Sequence, residues 1–196
     1  MRYAPSRLEI LVGPLNVGDV PFLPYLNDNK KYIFKTVREL YPHYELQNIA
    51  NHRAVVIFPY AVFSYGITEL YAMGLPLFVP DPLFLLALGT LSDWKVSDKW
   101  YCGADVQPPE RHPLSSHTLS PEGRDHESNM YWVQFSDFYQ LPHITMFSNW
   151  SDLVFKLDNS DFQKIHDDMV IENKRKVDEL ETKWSVLTHQ ILSKQC

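Results

Sequence analysis

An α/β fold built on a parallel sheet is what this sequence predicts, and three observations carry the prediction. Ala54 to Phe58 is a short, β-branched and almost wholly apolar run, which suits a strand covered on both faces. Residues 65 to 73 carry a helical pattern directly behind it, and Leu77 to Val79 read as the next strand. Strand, turn, helix and strand within about 25 residues make a βαβ unit, whose strands run parallel because the helix carries the chain back.

The remaining elements follow in order. Leu8 to Val12 is another apolar candidate strand, stopped by Gly13 and Pro14. Lys31 to Leu40 reads as a helix, with Lys30, Lys31, Lys35 and Arg38 as its solvated face, and Tyr44 to Asn51 as a short helix leading into His52 and Arg53. Those two residues fall at the amino end of the 54–58 strand, away from the end where open α/β sheets bind ligands, so both are expected to be structural. Leu83 to Leu91 is an apolar helix that must be buried.

From Ser92 to Asn129 periodicity is lost and prolines recur, as in a long binding loop or an insertion. His112, His117 and His126 lie there; the first two have a ligand-like spacing, but no Cys or carboxylate completes a ligand set, and no metal is assigned. Tyr131 to Tyr139 reads as an aromatic helix with Trp132, Phe135 and Tyr139 turned to the core. Ile144 to Phe147 reads as a strand at the sheet's edge and Ser151 to Leu157 as a helix. A capping box at Ser160-Asp161-Phe162-Gln163 opens the last helix, 160–193. Its apolar stripe runs at three-to-four spacing from Phe162, Ile165 and Met169 through Asn173, Val177 and Leu180 to Trp184, Leu187 and Ile191. A straight helix of that length spans about 45 Å, so it either projects, bends, or packs along the domain.

The chain of 196 residues, 45% hydrophobic and 14% aromatic, is expected to form one domain over 1–196. A formal charge of −6 argues against a general nucleic-acid or anionic-membrane surface, since both need a basic patch. Cys102 and Cys196 make no disulfide framework, so a reducing, cytoplasmic setting is the expectation. The Asn149-Trp150-Ser151 sequon is too short a pattern to overturn it. The N-terminus lacks the apolar core of a signal peptide, and the most apolar window, Leu75 to Leu91, contains Pro76, Pro80, Asp81 and Pro82, which do not suit a bilayer span.

The chemistry concentrates in the βαβ unit. Glu69 is followed by Ala72, Gly74 and Pro76. Ala72 is expected to let the helix sit close to the sheet, Gly74 to end it with positive φ, and Pro76 to open the strand. Glu69 alone lacks a packing role. A carboxylate beyond the carboxyl end of a parallel strand can accept two ribose hydroxyls. The turn before it would aim the backbone N–H groups of Ser64, Tyr65, Gly66 and Ile67 at a phosphate in the same crevice. Singly these are a solvated Glu and an ordinary helix stop. Their joint spacing behind a buried strand is what points to a nucleotide.

At these residues the sequence resembles the C-terminal, nucleotide-sugar-binding half of the GT-B glycosyltransferases, whose signature is Glu-x-Phe-Gly followed by Glu-Ala-Met-Ala-x-Gly-x-Pro-Val-Val. Glu69 matches the second glutamate, and Phe63, Ala72, Gly74 and Pro76 match as well. The first glutamate is replaced by Ala61 and the phosphate-turn glycine by Ser64, and the loop Leu15-Asn16-Val17-Gly18-Asp19 lacks the family's diphosphate-gripping Arg and Lys. The resemblance implies a Rossmann-like parallel sheet of the GT-B C-terminal-half type, with a last helix that crosses back to an N-terminal domain. It implies a nucleotide-diphospho-sugar donor held by Glu69 at the ribose and by the amides of Ser64, Tyr65, Gly66 and Ile67 near the diphosphate, with no cofactor and no metal. A whole GT-B enzyme has two such domains, so the chain is expected to act with an N-terminal GT-B domain or a second subunit that supplies the general base. No catalytic residue is named within it. Two alternatives stand beside this: a sugar-nucleotide epimerase using the same fold and crevice, and a non-catalytic interaction module derived from a GT-B domain, in which Ala61 and Ser64 mark decay of the site.

Overall fold

A computed structural model describes residues 3–13, 20–28, 30–60, 64–91 and 126–193. Five short strands, β1 (Ile10–Gly13), β2 (Phe34–Thr36), β3 (Val55–Ile57), β4 (Leu77–Pro80) and β5 (Thr145–Phe147), form one sheet in the order β2-β1-β3-β4-β5. Every pair is parallel, so every connection must cross over. The crossovers carry α1 (Leu23–Asn27) after β1, α2 (Val37–Leu40) and α3 (Leu46–Ala50) after β2, α4 (Tyr65–Ala72) after β3, and α5 (Pro82–Leu91), α6 (His126–Val133) and α7 (Asp137–Gln140) after β4. Two further helices, α8 (Trp150–Asn159) and α9 (Phe162–Ser193), follow β5. The predicted Rossmann-like α/β architecture is present, with β3, β4 and the edge strand β5 where the apolar runs placed them; β1 begins two residues later than expected and takes in Gly13, because Leu8 lies outside the sheet and is 78% exposed.

Strand alternation divides the core in two. Ile10, Val12, Val56, Phe58 and Phe78 point into one cluster, closed by Leu26 of α1, Leu88 of α5 and Leu153 of α8. Leu11, Val55, Ile57, Leu77 and Val79 point into the other, closed by Ile67, Leu70 and Tyr71 of α4, Phe138 of α7 and Met169 of α9. Both faces are apolar, which is why these strands read as continuous hydrophobic runs rather than alternating ones.

Several elements differ from the sequence reading. Residues 31–40, expected as one helix, divide into β2 and the single turn of α2. Thr36 is the cause: its backbone is extended (φ −71°, ψ 153°), and its hydroxyl accepts from the Glu39 amide at 3.1 Å, capping α2. The aromatic run is likewise two helices, because Ser136 is extended (φ −70°, ψ 154°) between α6 and α7. Phe138 takes the core position, and Phe135, expected there, is 48% exposed. His126 to Asn129, placed in the irregular stretch, belong to α6; residues 92–125 of that stretch lie outside the described residues. The cap of α9 is Asp161 rather than Ser160, its Oδ1 accepting from the Lys164 amide at 2.9 Å.

The end of α4 determines where α9 can lie. Gly74, at φ +67°, closes α4 as the left-handed residue of a Schellman motif: its amide bonds Tyr71 O at 2.9 Å and the Leu75 amide bonds Leu70 O at 3.2 Å. α9 crosses directly over it, and His166 Nδ1 lies 2.8 Å from the Gly74 carbonyl oxygen. A Cβ on Gly74 would meet Val170 Cγ2 at 2.6 Å and His166 Nδ1 at 2.7 Å. Ala72, expected to permit a close approach, is exposed; Gly74 performs that role toward α9. Gly74→Ala combines a left-handed backbone penalty with overpacking and should lower the unfolding free energy by about 3 kcal/mol in a urea titration. Adding Val170→Ala should restore only the steric share. A change below about 1 kcal/mol for Gly74→Ala alone would contradict the account.

Candidate functional site

The strand order reverses between β1 and β3, since the chain leaves β1 toward β2 on one side and β3 toward β4 on the other. Such a reversal opens a crevice above the carboxyl ends of the two strands, the usual ligand position in open α/β sheets. The ends are level: Gly13 pairs with Ile57, and the Phe58 amide bonds Gly13 O at 3.3 Å. The described wall of the crevice continues from Phe58 through Pro59 and Tyr60 and resumes at Ser64. Residues 14–19 and 61–63 lie outside the described residues, among them the Leu15–Asp19 loop, Ala61 and Phe63.

Ser64 is the N-cap of α4, with extended backbone (φ −148°, ψ 120°) and no side-chain cap bond to the helix. Its Oγ lies 3.0 Å from the Tyr60 hydroxyl instead. Tyr60 is a wall residue that the sequence reading passed over; its only signal was its place directly behind the strand. The Ser64 side chain therefore gives the start of α4 no acceptor, and the positive end of the helix dipole lies beside the strand ends. Tyr65 is 80% exposed, whereas Ile67 is buried and its amide bonds the Ser64 carbonyl at 3.2 Å. Glu69 lies one turn further along. It is exposed, and among the described residues its carboxylate has neither an ion pair nor a hydrogen bond.

Other acids at this edge of the sheet are occupied. Asp81, just beyond β4, caps α5 through Oδ1 to the Phe84 amide at 2.7 Å. Beside it the Tyr139 hydroxyl donates to Pro80 O at 2.8 Å, and burial, with the Asp81 charge, raises its pKa well above the usual tyrosine range. Asp152 accepts from the Ser148 amide and from Lys156 Nζ, at 2.8 and 2.9 Å. Its desolvation favours the neutral form, but the Lys156 and Ser148 bonds outweigh that and hold the carboxyl below the usual range. Asn149 of the sequon is the N-cap of α8, its side chain accepting from the Asp152 amide at 2.9 Å. Of the cations nearest in sequence, three are engaged: Lys31 pairs with Asp158 at 2.6 Å, Lys35 with Glu39, and Arg38 donates to Pro42 O at 2.8 Å.

On the opposite face of the sheet from α4, a groove of about 290 Å³ is lined by Tyr25, Leu26, Trp150, Ser151 and Val154. The Tyr25 and Trp150 rings are parallel within 2°, their centroids 6.4 Å apart. Its described lining offers the Tyr25 hydroxyl, the Trp150 indole N–H and the Ser151 hydroxyl as side-chain polar groups, and no charge. His126 is exposed at the start of α6, and His112 and His117 lie outside the described residues, among which no three potential metal ligands converge. Among the described residues no helix is long and apolar enough to cross a membrane. Compared with protein-family models, with curated proteins and with solved structures, the chain finds no match.

The amino end of β3 carries the buried histidine the sequence placed there. His52 is fully buried, with Nδ1 3.0 Å from the Glu9 carbonyl oxygen and Nε2 2.8 Å from the Tyr41 hydroxyl. A carbonyl only accepts, so Nδ1 carries the proton and Nε2 accepts from Tyr41: the neutral ring satisfies both bonds. Burial lowers its pKa below the ordinary 6.5, and the Glu9 carbonyl only partly opposes this. The unfolded chain then binds a proton that the folded one does not, so stability rises with pH across that interval. The His52 contribution should be present in full above pH 6.5 and be lost as pH falls toward the folded-state value. Urea titrations at neutral and mildly acidic pH should show this loss in the wild type and a shallower dependence in His52→Gln. An unchanged pH dependence in the variant would remove His52 as its source.

Proposed function

We propose that the carboxyl-edge crevice binds a nucleotide-diphospho-sugar and that the chain is the donor-binding half of a glycosyltransferase, with its sheet in the GT-B C-terminal-half form. The observation that supports this best is a coincidence at the reversal point of an all-parallel sheet. The helix that follows β3 there begins at an N-cap whose side chain makes no cap bond, and the same helix carries an exposed carboxylate, Glu69. In this reading the dipole and amides at the start of α4 favour the diphosphate, and Glu69 accepts the two ribose hydroxyls. Transfer then rests on positioning the sugar and on stabilising the charge that develops on the departing diphosphate. The general base belongs to a partner domain or subunit.

Glu69→Ala tests the reading. It should weaken nucleotide-diphosphate binding by about 2 to 4 kcal/mol in calorimetry, the scale for removing a charged hydrogen-bonding partner. The fold should hardly change, because replacing an exposed helical Glu by Ala is worth only a few tenths of a kcal/mol. A 2′-deoxyribose analogue should bind the wild type less well than the ribose form does, and the variant equally well, which isolates the contact itself. No measurable affinity of the wild type for uridine, guanosine or adenosine diphosphates or their sugars would end the proposal, as would an intact affinity in Glu69→Ala.

A further inference from the structure

The outer half of α9 carries a feature that the nucleotide site does not use. From Val170 to Ile191 the residues at three-to-four spacing are Val170, Asn173, Val177, Leu180, Trp184, Leu187 and Ile191, a heptad seam sustained over about three repeats. Its first part is covered by the chain's own domain, with Val170 against Gly74 and Met169 in the core. Beyond that the same face is bare: Val177 is 42% exposed, Leu180 53%, Trp184 64%, Leu187 43% and Ile191 52%. Ion pairs from Arg175 to Glu172 and Glu179, at 2.7 and 3.1 Å, and from Lys183 to Glu179, at 2.6 Å, lie off the seam and stabilise the helix without covering it. A heptad seam fits another helix with the same repeat, and the chain supplies one.

We propose that the outer half of α9 pairs antiparallel with the outer half of α9 in a second copy of this chain. The domain itself selects that orientation. It occupies the seam face of α9 from Phe162 to Val170, so a parallel partner would bring two domains into the same space. An antiparallel partner instead carries its domain past the far end of the helix. Charge then selects between the two registers that set four bare seam residues of each copy against the partner's. With Leu180 facing the partner's Trp184, Glu181 meets the partner's Glu181 and Lys183 the partner's Lys183, and both contacts repel. With Leu180 facing the partner's Ile191 and Trp184 facing the partner's Leu187, Glu181 meets the partner's Thr188 and Lys183 the partner's Gln190. A hydroxyl donor and an amide oxygen acceptor then replace the like charges. In that register Leu180, Trp184, Leu187 and Ile191 of each copy are covered, four layers in all. The seam is short compared with the roughly 800 Å² per partner of stable complexes, so association is reversible and concentration-dependent.

The test is sedimentation velocity on the full chain over a wide concentration series. A reversible monomer–dimer equilibrium is expected. Trp184→Glu combined with Leu187→Glu changes two exposed residues, should leave circular dichroism and melting temperature unchanged, and should weaken dimerisation by at least about 100-fold, since it buries charge in the seam. Orientation is read by disulfide formation in chains whose Cys102 and Cys196 are replaced by Ala. Leu180→Cys mixed with Ile191→Cys should cross-link, and neither should cross-link alone. A monomer at every concentration would overturn the proposal and leave the stripe to a different protein. So would a dimer that survives the double substitution, a cross-link within either single-Cys chain, or none in the mixture.

Discussion

β3 is hydrogen-bonded to β1 along one edge and to β4 along the other, and every side chain from Ala54 to Phe58 is buried. That double enclosure is the constraint from which the remaining architecture follows. A strand with neighbours on both edges and no wet face must have helices above and below it, and parallel neighbours force those helices into the connections. The two apolar clusters, one beneath α1, α5 and α8 and the other beneath α4, α7 and α9, are the two sides of this one requirement.

With both faces closed, polar chemistry is left to the two ends of the strands. At the amino end His52 is enclosed and fully bonded, and its neutral form suits the site. At the carboxyl end Asp81 and Asp152 serve the starts of α5 and α8, helices that must begin where the chain leaves β4 and β5. α4 begins differently. Its cap residue turns its hydroxyl to Tyr60, and its acid, Glu69, is placed a turn inside the helix with no ion pair among the described residues. An exposed carboxylate and an N-cap side chain turned away from the helix stabilise the fold less than a capping pair would.

α9 joins two different surfaces with one apolar stripe. Its inner half is held where Gly74 lets it approach the end of α4, a contact that depends on the absence of a side chain. Its outer half has the same spacing, and there its seam side chains are exposed. The separation between the halves is set by the width of the domain.

The sequence by itself determined the parts of this protein whose cause is local or periodic. The buried runs at 10–12, 54–58 and 77–79, the Gly74 stop with its positive φ, the structural place of His52 and the long striped helix were all legible, because a strand closed on both faces and a helix end in the left-handed region each restrict residue type at consecutive positions. The Thr36–Glu39 cap was also written in the chain, yet it was masked by a longer helical pattern. It became visible only once β1 offered residues 34–36 a partner. What only the tertiary structure decided involves residues far apart in sequence: the order of the strands, hence where the crevice lies; the turning of Ser64 toward Tyr60; and the exposure of Ala72 while Gly74 takes the close contact with α9. The point along α9 where the domain ends belongs with these. A stripe at three-to-four spacing looks the same in sequence whether its own domain or another helix covers it, because the spacing records that a face is apolar and not what lies against it.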